Sequence, residues 1–336
     1  MPSNANRLYG LARSVIGTLA LGACLLLVAS AGPADAQSKF PDRPVRIITP
    51  FGAGGAGDMT MRLLAQRLQE MTGAAFVIEN RPGAGGRAAM RSVLDSPANG
   101  YILGVTGNGQ AIAASLVEQK PYDIVEDFTQ VSVVASFDIL VTVNAHSPFK
   151  TLKDLVQAAR ENPKKLNFGT SLAGSTQHLS ALLLAQLEGL DVAVINFKTS
   201  ADLVNALLRK DIDVGFDFFA SFSGSLEDKA LRVLAIGGEK RADYLPDTPT
   251  AKESGYPEYV VQSWNGLSAP AGLPPDVLEF LNIKINEALR DENVRTKARM
   301  IGLNPEGSTP AEMRARMIAD VKKWGAVIEK AGLGKQ

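Results

Sequence analysis

From Val45 onward, apolar runs of strand length alternate with segments whose apolar residues recur at helical spacing, the pattern of consecutive βαβ units around a largely parallel sheet. Strands are expected at 45–49, 76–79, 101–106 and 130–135, with Met61, Leu64, Ala65 and Leu68 on one stripe of the helix after the first. A run at 139–143 can leave that sheet, and the pattern then restarts. The restart has a helix at 152–160, a strand at 166–168, a helix from Ser175, and strands at 192–197 and 212–218. After Trp264 the sequence turns to helices, at 275–290 and 310–330, the second carrying Met313, Met317, Val321, Trp324 and Ile328 close to one stripe. A helical tail of this kind packs back on the first lobe. The expected fold is α/β with two lobes, each a mostly parallel sheet flanked by helices: lobe one at 37–140 and 260–336, lobe two at 141–259.

The 336-residue length and the 46% hydrophobic composition suit two cores better than one. Residues 1–36 have the form of a secretory signal, with basic Arg7 and Arg13, an apolar stretch at 15–29, and the small-residue triplet Ala34-Asp35-Ala36. Cleavage after Ala36 leaves Gln37 as the mature start and places the chain in the periplasm. The apolar stretch is shorter than the roughly 20 residues a membrane span needs. A lipoprotein start at Cys24 fits less well, because the apolar run continues through Leu25 to Val28.

Cys24 is the only cysteine, so the processed chain has no thiol for disulfides, metal ligation or nucleophilic catalysis. The 35 basic and 35 acidic residues balance, and losing Arg7, Arg13 and Asp35 leaves a chain close to neutral. No nucleic-acid partner is indicated by that balance.

The sharpest local motif is Gly52-Ala53-Gly54-Gly55-Ala56-Gly57, between the first strand and its helix, whose spacing matches G-x-G-x-x-G. Glu79, at the end of the next strand, stands where a dinucleotide site places its ribose-binding acid, so a periplasmic Rossmann-type oxidoreductase is the alternative to a binding protein. Physically, the motif presents backbone N–H groups at a helix N-terminus, and a carboxylate satisfies these as well as a pyrophosphate does. Thr170-Ser171-Leu172-Ala173-Gly174 repeats this logic after a second-lobe strand, with Ser175 at the N-cap position and Thr176 beside it.

Gly169 to Ala173 also has the outline of a nucleophile elbow, but the general base is missing: of the two histidines, His146 precedes it and His178 lies one turn into the same helix. No histidine or cysteine pair has metal-ligand spacing. Asp217, at the end of the strand expected to face the second loop, is suited to orienting water or a ligand hydroxyl or amine. The candidate ligand-binding residues are Phe51, Gly54, Gly55, Ala56, Asn108, Thr170, Ser171, Ser175, Thr176, Asp217 and Phe218, with no catalytic residue, metal or cofactor.

Along the chain, Pro50-Phe51 with Gly54-Gly55 and Asp58, Glu79-Asn80-Arg81-Pro82-Gly83-Ala84-Gly85-Gly86, Gly100-Tyr101, Pro121-Tyr122-Asp123 and Asp127-Phe128 stand in order. Gly169, Gly174-Ser175, His178-Leu179, Lys198, Leu245-Pro246-Asp247, Pro249-Thr250, Trp264, Gly266, Ala269-Pro270-Ala271-Gly272 and Pro274 follow. Together these resemble the Bug receptors, the TctC-like solute-binding proteins of tripartite tricarboxylate transporters. The resemblance implies a type II-like periplasmic binding protein whose lobes close on a small carboxylate, a di- or tricarboxylate or an aromatic acid, partly through ordered water. It also implies delivery to a membrane permease and no enzymatic activity. The chain departs from the family pattern at Gly52-Ala53, where two prolines are usual, at Lys198-Thr199 and Asp202, where a Lys-Gly pair and a later proline are usual, and at Lys210, where glycine is usual.

Overall fold

The computed structural model describes residues 40–53, 56–83, 86–117 and 120–333. The expected signal segment, together with Gly54, Gly55, Ala84 and Gly85, lies outside them. From Arg43 on, the chain forms one compact unit. Its first strands are β1 (Val45–Thr49), β2 (Phe76–Asn80) and β3 (Ile102–Gly107), all parallel in the order β2-β1-β3. Between them run α1 (Ala56–Thr72) and α2 (Arg87–Leu94), and α3 (Asn108–Leu116) follows β3. Met61, Leu64, Ala65 and Leu68 of α1 are buried, as their spacing requires of the face that covers the sheet.

The two runs expected at 130–135 and 139–143 are one strand, β4 (Phe128–Asn144), 17 residues long and free of glycine and proline. Only Thr129 in it is not buried. Up to Asp138, β4 pairs antiparallel with β9 (Gln262–Pro270), and from Ile139 it pairs antiparallel with β7 (Val214–Phe218). It therefore does leave the first set of strands, as expected at 139, but without a break in the strand itself.

The second set contains β5 (Asn167–Ser171), β6 (Ala193–Phe197) and β7, parallel in the order β6-β5-β7, with β8 (Leu231–Ile236) antiparallel on the other side of β4. The helices here are α4 (Leu152–Glu161), α5 (Thr176–Glu188), α6 (Ser200–Arg209) and α7 (Phe219–Glu227). Thr151 and Asp154 form a reciprocal capping box that starts α4 where the sequence places it. Each set thus has a parallel core of three strands, and the strands shared by or added to them run antiparallel.

The return contains α8 (Pro275–Arg290), α9 (Glu292–Met300), β10 (Asn304–Pro305) and α10 (Pro310–Lys330). Thr309 caps α10 in a second capping box with Glu312, with Pro310 just inside the helix. Met313, Met317, Trp324 and Ile328 are buried against the core. The helices expected at 275–290 and 310–330 are present, but they are preceded by a strand the sequence did not suggest: β9 runs past Trp264 to Pro270 between β3 and β4. Its sequence, with Gly266, Pro270 and no clean alternation, carries no strand signal of its own. Two flanking strands with open ladders supply the hydrogen bonds that hold it extended.

Candidate functional site

Phe51, just after β1, is held by Thr49 and by Asn80 at the end of β2. Phe51 donates its backbone N–H to Thr49 Oγ1 at 3.3 Å and accepts at its carbonyl from Asn80 Nδ2 at 3.0 Å. Asn80 Nδ2 also donates to Asp58 Oδ1 at 2.7 Å, and Arg62 donates to both Asp58 and Asn80. The Phe51 ring lies over Gly57, where any side chain would collide with it. Ala56 supplies the first backbone position of α1. Glu79, the ribose-binding acid of the oxidoreductase reading, is engaged by Arg46 and Arg81.

The loop after β5 is a closed network. Ser175 caps α5, accepting from the His178 N–H at 3.2 Å and donating its own proton to the Ser171 carbonyl at 2.8 Å. The Gly174 N–H donates to His178 Nδ1 at 3.1 Å, and burial pushes this imidazole below the ordinary histidine range, which keeps Nδ1 an acceptor. Ser175 and His178 therefore serve the turn, and no serine in it reaches a histidine base. Thr170, fully buried, donates to Asn196 Oδ1 at 2.6 Å.

Asp217 is also fully buried. It accepts from Gln177 Nε2 at 3.1 Å, from Ser200 Oγ at 2.7 Å and from the N–H of Phe218 at 2.8 Å. A carboxylate accepts only, so the Gln177 amide must turn its NH2 toward Asp217, and the same nitrogen then donates to Ser171 Oγ at 3.2 Å. Ser171 is left with a proton that finds no acceptor among the described residues.

A second network joins the two strand sets. Asn108, the first residue of α3, is fully buried; Gly107 before it lies so close to the Trp264 carbonyl that a Cβ would collide. Asn108 Nδ2 donates to Thr176 Oγ1, at the start of α5, at 3.0 Å, and its Oδ1 accepts from Trp324 Nε1 at 2.6 Å. Thr176 in turn points its proton toward Ser263 Oγ on β9, 3.4 Å away. Nearby, a Cβ on Gly174 would come within 3.1 Å of Leu116 in α3, so the β5–α5 loop lies against that helix.

Phe218 packs with Phe137, ring centroids 5.6 Å apart, beside Leu63 and Ile301, which makes it part of the apolar contact between elements. Of the candidate residues, Phe51 belongs to the β1–α1 turn, Ser171 and Asp217 meet on Gln177, Asn108 meets Thr176, and Thr170 is committed to Asn196. Sequence reasoning missed Gln177, Asn196, Ser200 and Ser263, whose types and spacing carry no motif. Trp324 was legible only as one member of an apolar stripe. Among the described residues no cluster of His, Cys, Asp or Glu has the arrangement to hold a metal, and no helix is long and apolar enough to cross a membrane.

Residues 60–333 match the model of the tripartite tricarboxylate transporter family receptor. Protein BugT of Bordetella pertussis is 30% identical over 311 residues, which cover 91% of this chain and 95% of BugT. Among solved structures, R. palustris Rpa4515 with adipate is 34% identical, with a TM-score of 0.75, over 87% of this chain and 98% of that one. MatC from Rhodopseudomonas palustris with bound malate is 28% identical, with a TM-score of 0.71, over 86% of this chain and all of that one.

Proposed function

Given that the chain belongs to the tripartite tricarboxylate transporter receptor family, whose members are solute-binding receptors and not enzymes, we propose that it captures a small carboxylate in the periplasm and hands it to a permease of that transporter type. The observation that carries the ligand class is the polarity of the Asp217–Gln177–Ser171 network. An acceptor-only anchor fixes the amide, the amide fixes the serine as acceptor, and the serine, 1% exposed in this structure, keeps one proton uncommitted for a ligand enclosed between the lobes. A carboxylate is the complementary partner, an acceptor that cannot donate. Charge-assisted hydrogen bonds of this kind contribute about 1.5–3 kcal/mol each.

Adipate and malate in the two solved relatives are the same chemical class. The capture proceeds by closure of two lobes, 37–140 with 260–336 and 141–259, around the β1–α1 and β5–α5 loops. The change of pairing partner in β4 between Asp138 and Ile139 supports that division. Export through the signal at 1–36, with cleavage at Ala36, belongs to the same proposal.

Calorimetric titration with adipate, malate and their neutral diamides tests the ligand class. At least one acid is expected to bind, and its diamide to bind at least tenfold more weakly. Equal affinity for acid and diamide would overturn the reading, because hydroxyl and backbone donors gain their advantage from negative charge.

A further inference from the structure

We propose that Trp324 is a positioning residue for the ligand site: it fixes the direction of the hydrogen bonds running through Asn108 and Thr176, so that the Ser263 hydroxyl is left as a donor to the bound carboxylate. This rests on the carboxylate reading above and adds a second, independently built donor to it.

The direction is forced by the residue types. An indole N–H only donates, so the Asn108 atom 2.6 Å from Trp324 Nε1 must be the amide oxygen. The amide nitrogen then faces Thr176 Oγ1 at 3.0 Å, with the Gln262 carbonyl at 3.5 Å on the same side. That nitrogen also only donates, so the Thr176 hydroxyl is an acceptor toward Asn108 and its own proton turns to the remaining neighbour, Ser263 Oγ.

Ser263 therefore accepts, and no acceptor for its proton lies among the described residues. It is half-buried, whereas Asn108 is fully buried, Trp324 is 1% exposed and Thr176 5%. Ser263 is thus the end of the chain that meets open space. Alternation along β9 places its side chain on the opposite face from Gln262, whose amide is held by Asp138 at 2.7 Å. The short indole contact dominates the direction of the relay, and the longer one to the Gln262 carbonyl favours the same orientation.

The test uses the full chain with whichever of adipate or malate binds the wild type more tightly, and the variants W324F, S263A and their combination. W324F keeps a ring in the core but frees the Asn108 amide to turn, so Ser263 loses its assigned role. Each single variant is expected to weaken binding about tenfold, with the combined variant no weaker than S263A alone, since Trp324 acts through Ser263.

The chain has two tryptophans, so the two indole N–H resonances are assigned by their loss in W324F. The Trp324 resonance is expected to shift on adding the acid to the wild type and to stay in place in S263A. Full wild-type affinity in W324F, or losses that multiply in the combined variant, would overturn the relay while leaving carboxylate binding intact. If W324F does not fold, T176V replaces it at the next link, with the same non-additivity against S263A expected. Failure of both acids to bind the wild type would overturn the carboxylate reading and this inference with it.

Discussion

Tyr244 donates its phenol to Asp138 Oδ2 at 2.9 Å, joining the segment after β8 to the position where β4 exchanges one set of partners for another. Asp138 is 2% exposed and also accepts from Gln262 Nε2 and Asn304 Nδ2, each at 2.7 Å. Burial and the neighbouring carboxylate push the phenol's pKa far up, so it stays a donor. Three neutral donors from three parts of the chain thus meet on one charge. Asp138→Asn presents an NH2 to one of them and is expected to destabilise the fold by about 2–3 kcal/mol, and Tyr244→Phe by about 1–2 kcal/mol, in urea unfolding without ligand. Wild-type stability in Asp138→Asn would show that these contacts do not hold the crossing strands together.

Lys210 closes α6 with φ 65°, the left-handed conformation, its N–H bonded to the carbonyls of Ala206 and Leu207. Glycine adopts that conformation without a Cβ penalty. Because the Lys210 side chain is exposed, Lys210→Gly is expected to stabilise the protein by about 0.5–1 kcal/mol, read as a higher melting temperature. A lower melting temperature would mean that the lysine side chain makes a contact worth more than the strain.

The pH dependence follows from His178. Burial lowers its pKa in the folded state, so the unfolded chain takes up the proton first as the pH falls. The contribution is fully present above the ordinary histidine pKa and is lost progressively as the pH falls from there through the lower folded-state value. Urea unfolding at pH 7.5 and 5.5 should show lower stability at 5.5. His178→Asn offers an oxygen to the Gly174 N–H without titrating, and should reduce that difference. An unchanged difference would remove His178 from the account.

Thr170 and Ser171 are adjacent and equally hidden, yet their hydroxyls are differently committed. The proton of Thr170 goes to Asn196, whereas Ser171 accepts from Gln177 and keeps its proton. Ser171→Ala is expected to weaken binding of the preferred acid by about tenfold to a hundredfold, and Thr170→Ala by less than about threefold. Calorimetric titration of both variants decides it, and equal losses would count against the polarity argument.

What the sequence determined by itself is local. The βαβ alternation, the Ser175 cap of α5, the burial of most of the α1 and α10 stripes and the position of the two loops are properties of neighbouring residues, and they were legible from spacing and residue type. So were the ordered motifs that carry the family resemblance. Tertiary structure decided the rest, because its causes lie far apart in the chain. β9 is extended because β3 and β4 offer it open ladders on both sides, although its own residues give no strand signal. Ser171 and Ser263 become donors because a carboxylate 46 residues from one and an indole 61 residues from the other fix how the intervening amides turn. Hydrogen-bond direction depends on which partner sits on each side of an amide, and only the folded chain brings those partners together.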